Sequence, residues 1–130
     1  MNFRQKQEVR HATFNKYHTP ACGPSHTRPV NACFFSAANS IEHELMKARV
    51  CHELLCNKHE FVTEAVRNGS DPERRVDIVD LTTGEEIEIE TTPERAARFI
   101  KEPDVLVIPV GWSKKDEKWI SLVKSQNSQK

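Results

Sequence analysis

The sequence predicts an α/β domain with a central mixed β-sheet flanked by helices, its elements in the order α-β-β-β-α-β-α. Three observations carry that prediction. A helical apolar spacing begins after Ser36, two β-branched segments flank Thr82-Thr-Gly84, and a near-continuous apolar run, Asp104 to Val110, follows a helix-start signature at Thr92-Pro93. A chain of 130 residues fits one domain. Its hydrophobic fraction of 37% is low, which predicts a small core with a polar flank.

Residues 1–35 carry no sustained period, and Pro20, Gly23, Pro24 and Pro29 punctuate them, so they read as an irregular basic arm. Residues 36–112 read as the folded core. Ile41, Leu45, Ala48, His52 and Leu55 recur at intervals of four and three, predicting one apolar helical stripe over Ser36 to Asn57 with Ser36 as cap. Glu60 to Arg67 is a strand and Asn68 to Pro72 a turn cluster. Arg75 to Leu81 and Glu85 to Thr91 form a hairpin about Thr82-Thr-Gly84. Thr92 caps and Pro93 opens a helix running to about Lys101. Asp104 to Val110 has the character of a strand buried on both faces. Residues 113–130 form a C-terminal helix or tail, with Trp119, Leu122 and Val123 at helical spacing.

Nineteen basic residues balance nineteen acidic ones, which excludes a basic chromatin-like protein, an acidic tail and a supercharged halophilic surface. The balance is segregated: residues 1–41 carry +4, residues 42–104 carry −7 and residues 105–130 carry +3. No stretch is long and apolar enough for a membrane span, and the N-terminus shows no apolar signal region. The expectation is a cytoplasmic protein whose four cysteines are reduced.

Most of the chemistry sits in the hairpin. Strand alternation puts Glu86, Glu88 and Glu90 on one face, with Ile87 and Ile89 on the other. Asp77 precedes Glu88 by eleven positions, so an even-length loop sets the two on one face, and a two-residue loop sets them directly opposite. A three-residue loop with a glycine bulge would shift that register. Neighbouring carboxylates repel unless something positive intervenes, and a hard divalent cation is the natural remedy. The competing reading is a solvated strand face that happens to be rich in glutamate.

The order of these motifs resembles the PD-(D/E)xK nuclease superfamily, and within it the archaeal Holliday-junction resolvases most closely. Glu42-His-Glu-Leu-Met46 is similar to their opening helix motif, and Arg75-Val-Asp-Ile-Val79 to the segment bearing their metal-binding Asp. Glu86-Ile-Glu-Ile-Glu-Thr91 is similar to their Ile-Glu-Val-Lys strand, and Pro103 to Ile108 to the strand after their second core helix. The resemblance covers residues 36–110. It implies a restriction-endonuclease-like fold and a DNA endonuclease that hydrolyses phosphodiesters with a metal-activated water, with resolvase-like structure specificity. Asp77 and Glu88 would then hold Mg²⁺ or Mn²⁺, Glu42 would reach it directly or through a water, and Glu90 would position or deprotonate the water. The chain departs from the motif at Glu90, where the family carries lysine. Glutamate cannot supply that positive charge, so a migrated cation is expected, with Lys47, Arg95 and Arg98 as candidates. Without one, a nucleic-acid-binding module that keeps the fold and does not cleave is the alternative. Members of the resolvase type dimerise, so a homodimer is compatible with the resemblance.

Two further groups complete the reading. Cys22, His26, Cys56 and His59 are zinc-competent, which opens a third alternative, a zinc-stabilised interaction protein. No Cys-x2-Cys pair supports it, and reduced cysteines packing as small hydrophobes is the plainer reading. Arg4, Arg10, Lys16 and Arg28, interleaved with Phe14 and Tyr17, suit a strap along a phosphate backbone, and Arg74 and Arg75 precede the Asp77 strand.

Overall fold

The computed structural model describes residues 2–18, 30–69, 75–90 and 105–110. Its elements are α1 (Phe3–Phe14), β1 (Tyr17–His18), α2 (Ile41–Cys56), β2 (Phe61–Arg67), β3 (Arg75–Asp80), β4 (Glu86–Glu90) and β5 (Val105–Pro109). The five strands form one sheet in the order β1-β2-β3-β4-β5; the first three pairings are antiparallel and β4–β5 is parallel. The mixed α/β class follows the sequence expectation. The helix expected at 92–101 and the C-terminal helix or tail at 113–130 lie outside the described residues.

The arm departs from its sequence reading. Residues 3–14 are helical, opened by a capping box in which Asn2 accepts from the Gln5 amide and Gln5 accepts from the Asn2 amide. Tyr17–His18 then adds an edge strand to β2, with Tyr17 opposite Arg67.

The principal helix departs too. It begins at Ile41 with Ser40, not Ser36, as its cap, the Ser40 hydroxyl accepting from the His43 amide. Its inner face carries His43, Glu44, Met46, Lys47, Val50 and Cys51. The stripe expected to be buried faces outward: Ile41 is 69% exposed, Leu45 62% and Leu55 45%. Two sets of positions in this helix satisfy helical spacing, and partners decide between them. Glu44 and Lys47 ion-pair inside the protein, so their burial leaves no orphaned charge, while Met46, Val50 and Cys51 fill the apolar contact.

The sheet is covered on both faces. Met46, Val50 and Cys51 of α2 pack on Phe61, Ile78, Ile87, Ile89, Leu106 and Ile108. On the opposite face Tyr17 packs with Val62, Ala65, Val76, Val79 and Leu81, flanked by Phe14 and Val30. Strict alternation would put Phe61 and Ala65 on one face, and Ile78 and Val76 likewise. Both pairs are divided between the two clusters. Glu64, which has a positive φ of 52° in mid-strand, sits at the break in β2. Asp77 sits at the corresponding break in β3.

The β3–β4 turn is built on a buried carboxylate. Asp80 Oδ1 accepts from the Thr82 and Thr83 amides at 2.9 and 3.2 Å, and Oδ2 pairs with His59 Nδ1 at 2.7 Å. Gly84 takes φ +84°, a conformation that disfavours any side chain. Asp80 N donates to Glu85 O, so an even number of residues spans the turn.

Candidate functional site

The even loop fixes the hairpin register. Ile78 pairs with Ile87 and Val79 with Glu86. Carried one position further, that register would bring Asp77 to Glu88, but the paired ladder ends at Ile78 and Ile87. The ladder changes character there: the Ile89 amide donates to Asp77 Oδ2 at 2.8 Å, so a side chain replaces a backbone acceptor.

Beside this point lies a polar cleft of about 260 Å³, lined by Ala38, Asn39 and Ser40 ahead of α2, His43 on its first turn, Asp77 of β3, and Glu88, Ile89 and Glu90 of β4. Three expected site residues, Asp77, Glu88 and Glu90, therefore share one cleft. Glu86 and Glu88 are buried, which removes the reading of a solvated glutamate face. Glu86 stands apart from the cleft, accepting from the Tyr17 hydroxyl at 2.6 Å and ion-pairing with Arg67. Burial, followed by the Glu86 carboxylate, pushes the Tyr17 hydroxyl well above its usual pKa.

Glu42 is exposed on α2 and is not among the residues lining the cleft. One position on, His43 turns inward and reaches Asp77, with Nε2 3.2 Å from Asp77 Oδ2. Its Nδ1 lies 3.0 Å from Glu44 Oε1. The hydrogen bond to Asp77 is the foremost cause holding His43 above the usual imidazole pKa; burial opposes it and Glu44 adds to it. The signal was in the sequence, since His43 stands between the two glutamates of the opening motif. The motif assigned its role to Glu42, and helical geometry gives the inward position to the neighbour.

Behind His43 runs a buried network. Glu44 Oε1 also accepts from Asn39 Nδ2 at 2.9 Å, and Oε2 accepts from the Ser36 amide at 3.0 Å and pairs with Lys47 Nζ at 2.7 Å. Burial pushes the Glu44 carboxyl up, but Lys47, Asn39, Ser36 and His43 together outweigh it and hold the pKa at about 2. Lys47, fully buried, donates to Glu64 Oε1 at 2.7 Å, and Arg75 stands 3.6 Å from Glu64 Oε2. Burial alone would pull the Lys47 ammonium down; the two carboxylates outweigh it and hold it above its usual pKa. Lys47 is thus held by Glu44 and Glu64 and does not line the cleft, where His43 is the basic side chain among the described residues. Arg95 and Arg98 lie outside those residues.

The remaining candidates are dispersed. Arg10 forks onto Glu60 with two contacts of 3.0 Å, Arg4 pairs with Glu8 in solvent, and Lys16 is exposed. Arg28, Arg74, Cys22 and His26 lie outside the described residues. The helix ends at Cys56, so His59 leaves its face and pairs with Asp80, while Cys56 Sγ lies 3.9 Å from His52 Nδ1. Among the described residues no group of three or more His, Cys, Asp or Glu side chains is arranged to enclose a metal. The cleft carboxylates, Asp77, Glu88 and Glu90, are hard oxygen donors. No helix among the described residues is long and apolar enough to cross a membrane. No protein family, curated protein or solved structure matches this chain.

Proposed function

We propose that this chain is a restriction-endonuclease-like, Mg²⁺-dependent endonuclease that hydrolyses DNA phosphodiesters at the cleft between α2, β3 and β4. The observation that carries the reading is the cleft that Asp77, Glu88 and Glu90 share with His43. The order α2-β2-β3-β4-β5, with β5 parallel to β4, supports it. An acidic cleft repels phosphate, so a nucleic-acid ligand calls for a cation there.

Asp77 and Glu88 would hold the ion, with Glu90 at the rim. A bound Mg²⁺ supplies positive charge to the phosphate and makes a nearby water more acidic. The protein contributes order: the Ile89 amide and His43 fix the Asp77 carboxylate, and Glu44 fixes His43. Glu90 orients the attacking water and accepts its proton. His43, when protonated, would place positive charge beside the cleft, a role that a motif lysine would otherwise fill. Arg75, about half exposed at the start of β3 and 3.6 Å from Glu64 Oε2, would meet a neighbouring phosphate.

The test is cleavage of plasmid, single-stranded, forked and four-way DNA with Mg²⁺ or Mn²⁺, comparing the wild type with Asp77→Ala and Glu88→Ala. Metal-dependent cleavage lost in both variants supports the reading. Activity unchanged by both sinks the site assignment, and DNA binding without cleavage on any substrate favours a binding module.

A further inference from the structure

One pair of soft metal donors lies outside the cleft and outside the network behind it. Helical spacing sets His52 and Cys56 one turn apart on α2, and both side chains are exposed. Cys56 Sγ lies 3.9 Å from His52 Nδ1 and 4.0 Å from Nε2. A tetrahedral zinc ion, bonded to sulfur at about 2.3 Å and to nitrogen at about 2.0–2.1 Å, sets those donors roughly 3.6 Å apart. The pair stands within about 0.4 Å of that bite, a gap that a small turn of an exposed side chain closes. Among the described residues neither side chain has another partner. Nor does a third His, Cys, Asp or Glu join them there, since His59 pairs with Asp80. Two donors fill half of a structural zinc shell, which takes four. His52 also lies in the outward apolar stripe of α2, where Ile41, Leu45 and Leu55 are exposed and Ala48 is half-buried.

We propose that His52 and Cys56 are half of an intermolecular zinc site, completed by the same pair on a second copy of this chain. A two-fold axis through the ion doubles one thiolate and one imidazole into two of each, the donor set of a closed tetrahedral site. The same axis brings the outward faces of two α2 helices together at His52, so the apolar side chains flanking it, Leu55 above all, leave water. A stripe one helix wide falls well short of the roughly 800 Å² per partner that a standard stable interface buries, so the ion is what holds the two copies together. On binding, each Cys56 thiol gives up its proton to solvent and each His52 ligates as the neutral ring. No electron is transferred. Neither residue lines the cleft, so pairing of the chains proceeds whatever reaction the cleft performs.

The experiment uses the full chain carrying Cys22→Ser and His26→Gln, which removes those two arm residues as competing ligands, kept reduced with a phosphine. Sedimentation equilibrium in zinc chloride should show a twofold rise in mass over the same chain in EDTA. Elemental analysis of the dimer should find one zinc per two chains. Cobalt(II) in place of zinc should give a sulfur-to-metal charge-transfer band and the strong visible absorption of a tetrahedral site. His52→Ala and Cys56→Ser should each abolish the dimer, and Cys56→Ser the charge-transfer band. Because both positions are exposed, the thermal midpoint of each variant in EDTA should stay within about 2 °C of the parent. A monomer holding one zinc per chain, a zinc-dependent dimer that survives both substitutions, or a chain that retains no zinc would overturn the proposal.

Discussion

Replacing Lys47 with methionine probes how the inner face of α2 is held. Lys47 Nζ sits 2.7 Å from both Glu44 Oε2 and Glu64 Oε1, with none of its side chain exposed. Removing the cation leaves two nearly buried carboxylates facing an apolar side chain, and breaking a buried pair in this way costs about 3–5 kcal/mol. At roughly 3–5 °C per kcal/mol for a domain of this size, the thermal midpoint should fall by about 10–20 °C. The pH dependence gives an independent check. The Glu44 carboxyl is depressed from its ordinary 4.5 to about 2, and at about 1.4 kcal/mol per tenfold that is worth on the order of 3 kcal/mol, shared among its donors. A depressed acid contributes stability that is full above its unfolded value and lost as pH falls toward the folded one. Losing Lys47 shrinks the depression, so the deficit should be largest at neutral pH and narrow as pH falls below about 4.5. Circular dichroism melts of both proteins at pH values across this range measure it. A midpoint within about 3 °C of the wild type at neutral pH, or a deficit independent of pH, would refute the reasoning.

Other perturbations test separate parts of the account. Leu45→Glu should change stability by no more than about 0.5 kcal/mol, because the side chain is 62% exposed. Met46→Ala, one position along, should cost about 2–5 kcal/mol; urea titration that reverses this ranking would put the wrong face of α2 inward. Gly84→Ala should cost about 1–2 kcal/mol through its positive φ, with Thr13 Oγ1 3.2 Å from the added methyl tightening the fit. His59 is held above its usual pKa first by its hydrogen bond to Asp80. It therefore contributes stability that is full below about 6.5 and lost as pH rises through the folded value. His59→Asn should reduce the fall in urea midpoint between about pH 5.5 and 8.5; an unchanged slope would show that the pair adds nothing.

The hairpin was legible because a period of two and a turn cluster leave few alternatives: the even loop pairs Ile78 with Ile87 and Val79 with Glu86. The α2 face was not legible from apolar spacing. Ile41-Leu45-Leu55 is the more apolar stripe, yet the helix buries Glu44 and Lys47, because charges that find partners can be buried and apolar side chains can stay in solvent. The α1 helix has little apolar periodicity to detect, and its one clear signal, Asn2-x-x-Gln5, lies at the start of the chain. The break in alternation rests on a glutamate with positive φ, and nothing in residue type announces that. It lies beside Asp77, which turns to His43 where simple alternation would group it with Val79 on the opposite face. Hence the cleft's carboxylates were foreseen, while its histidine and the buried network behind it were not.

The segregated charge now has a structural counterpart. Part of the acidic middle of the chain lines a cleft with His43, and another part is neutralised internally by Lys47, Arg67 and Arg10. The central claim is that the Asp77–Glu88 cleft performs metal-dependent cleavage of DNA. Its most direct test is the rate of DNA cleavage as a function of Mg²⁺ concentration, measured for the wild type and for Glu88→Gln of equal thermal midpoint. Saturable dependence on Mg²⁺ is expected in the wild type, with at least a ~100-fold loss in the variant. Cleavage that persists in chelator, or that Glu88→Gln leaves unchanged, would contradict it.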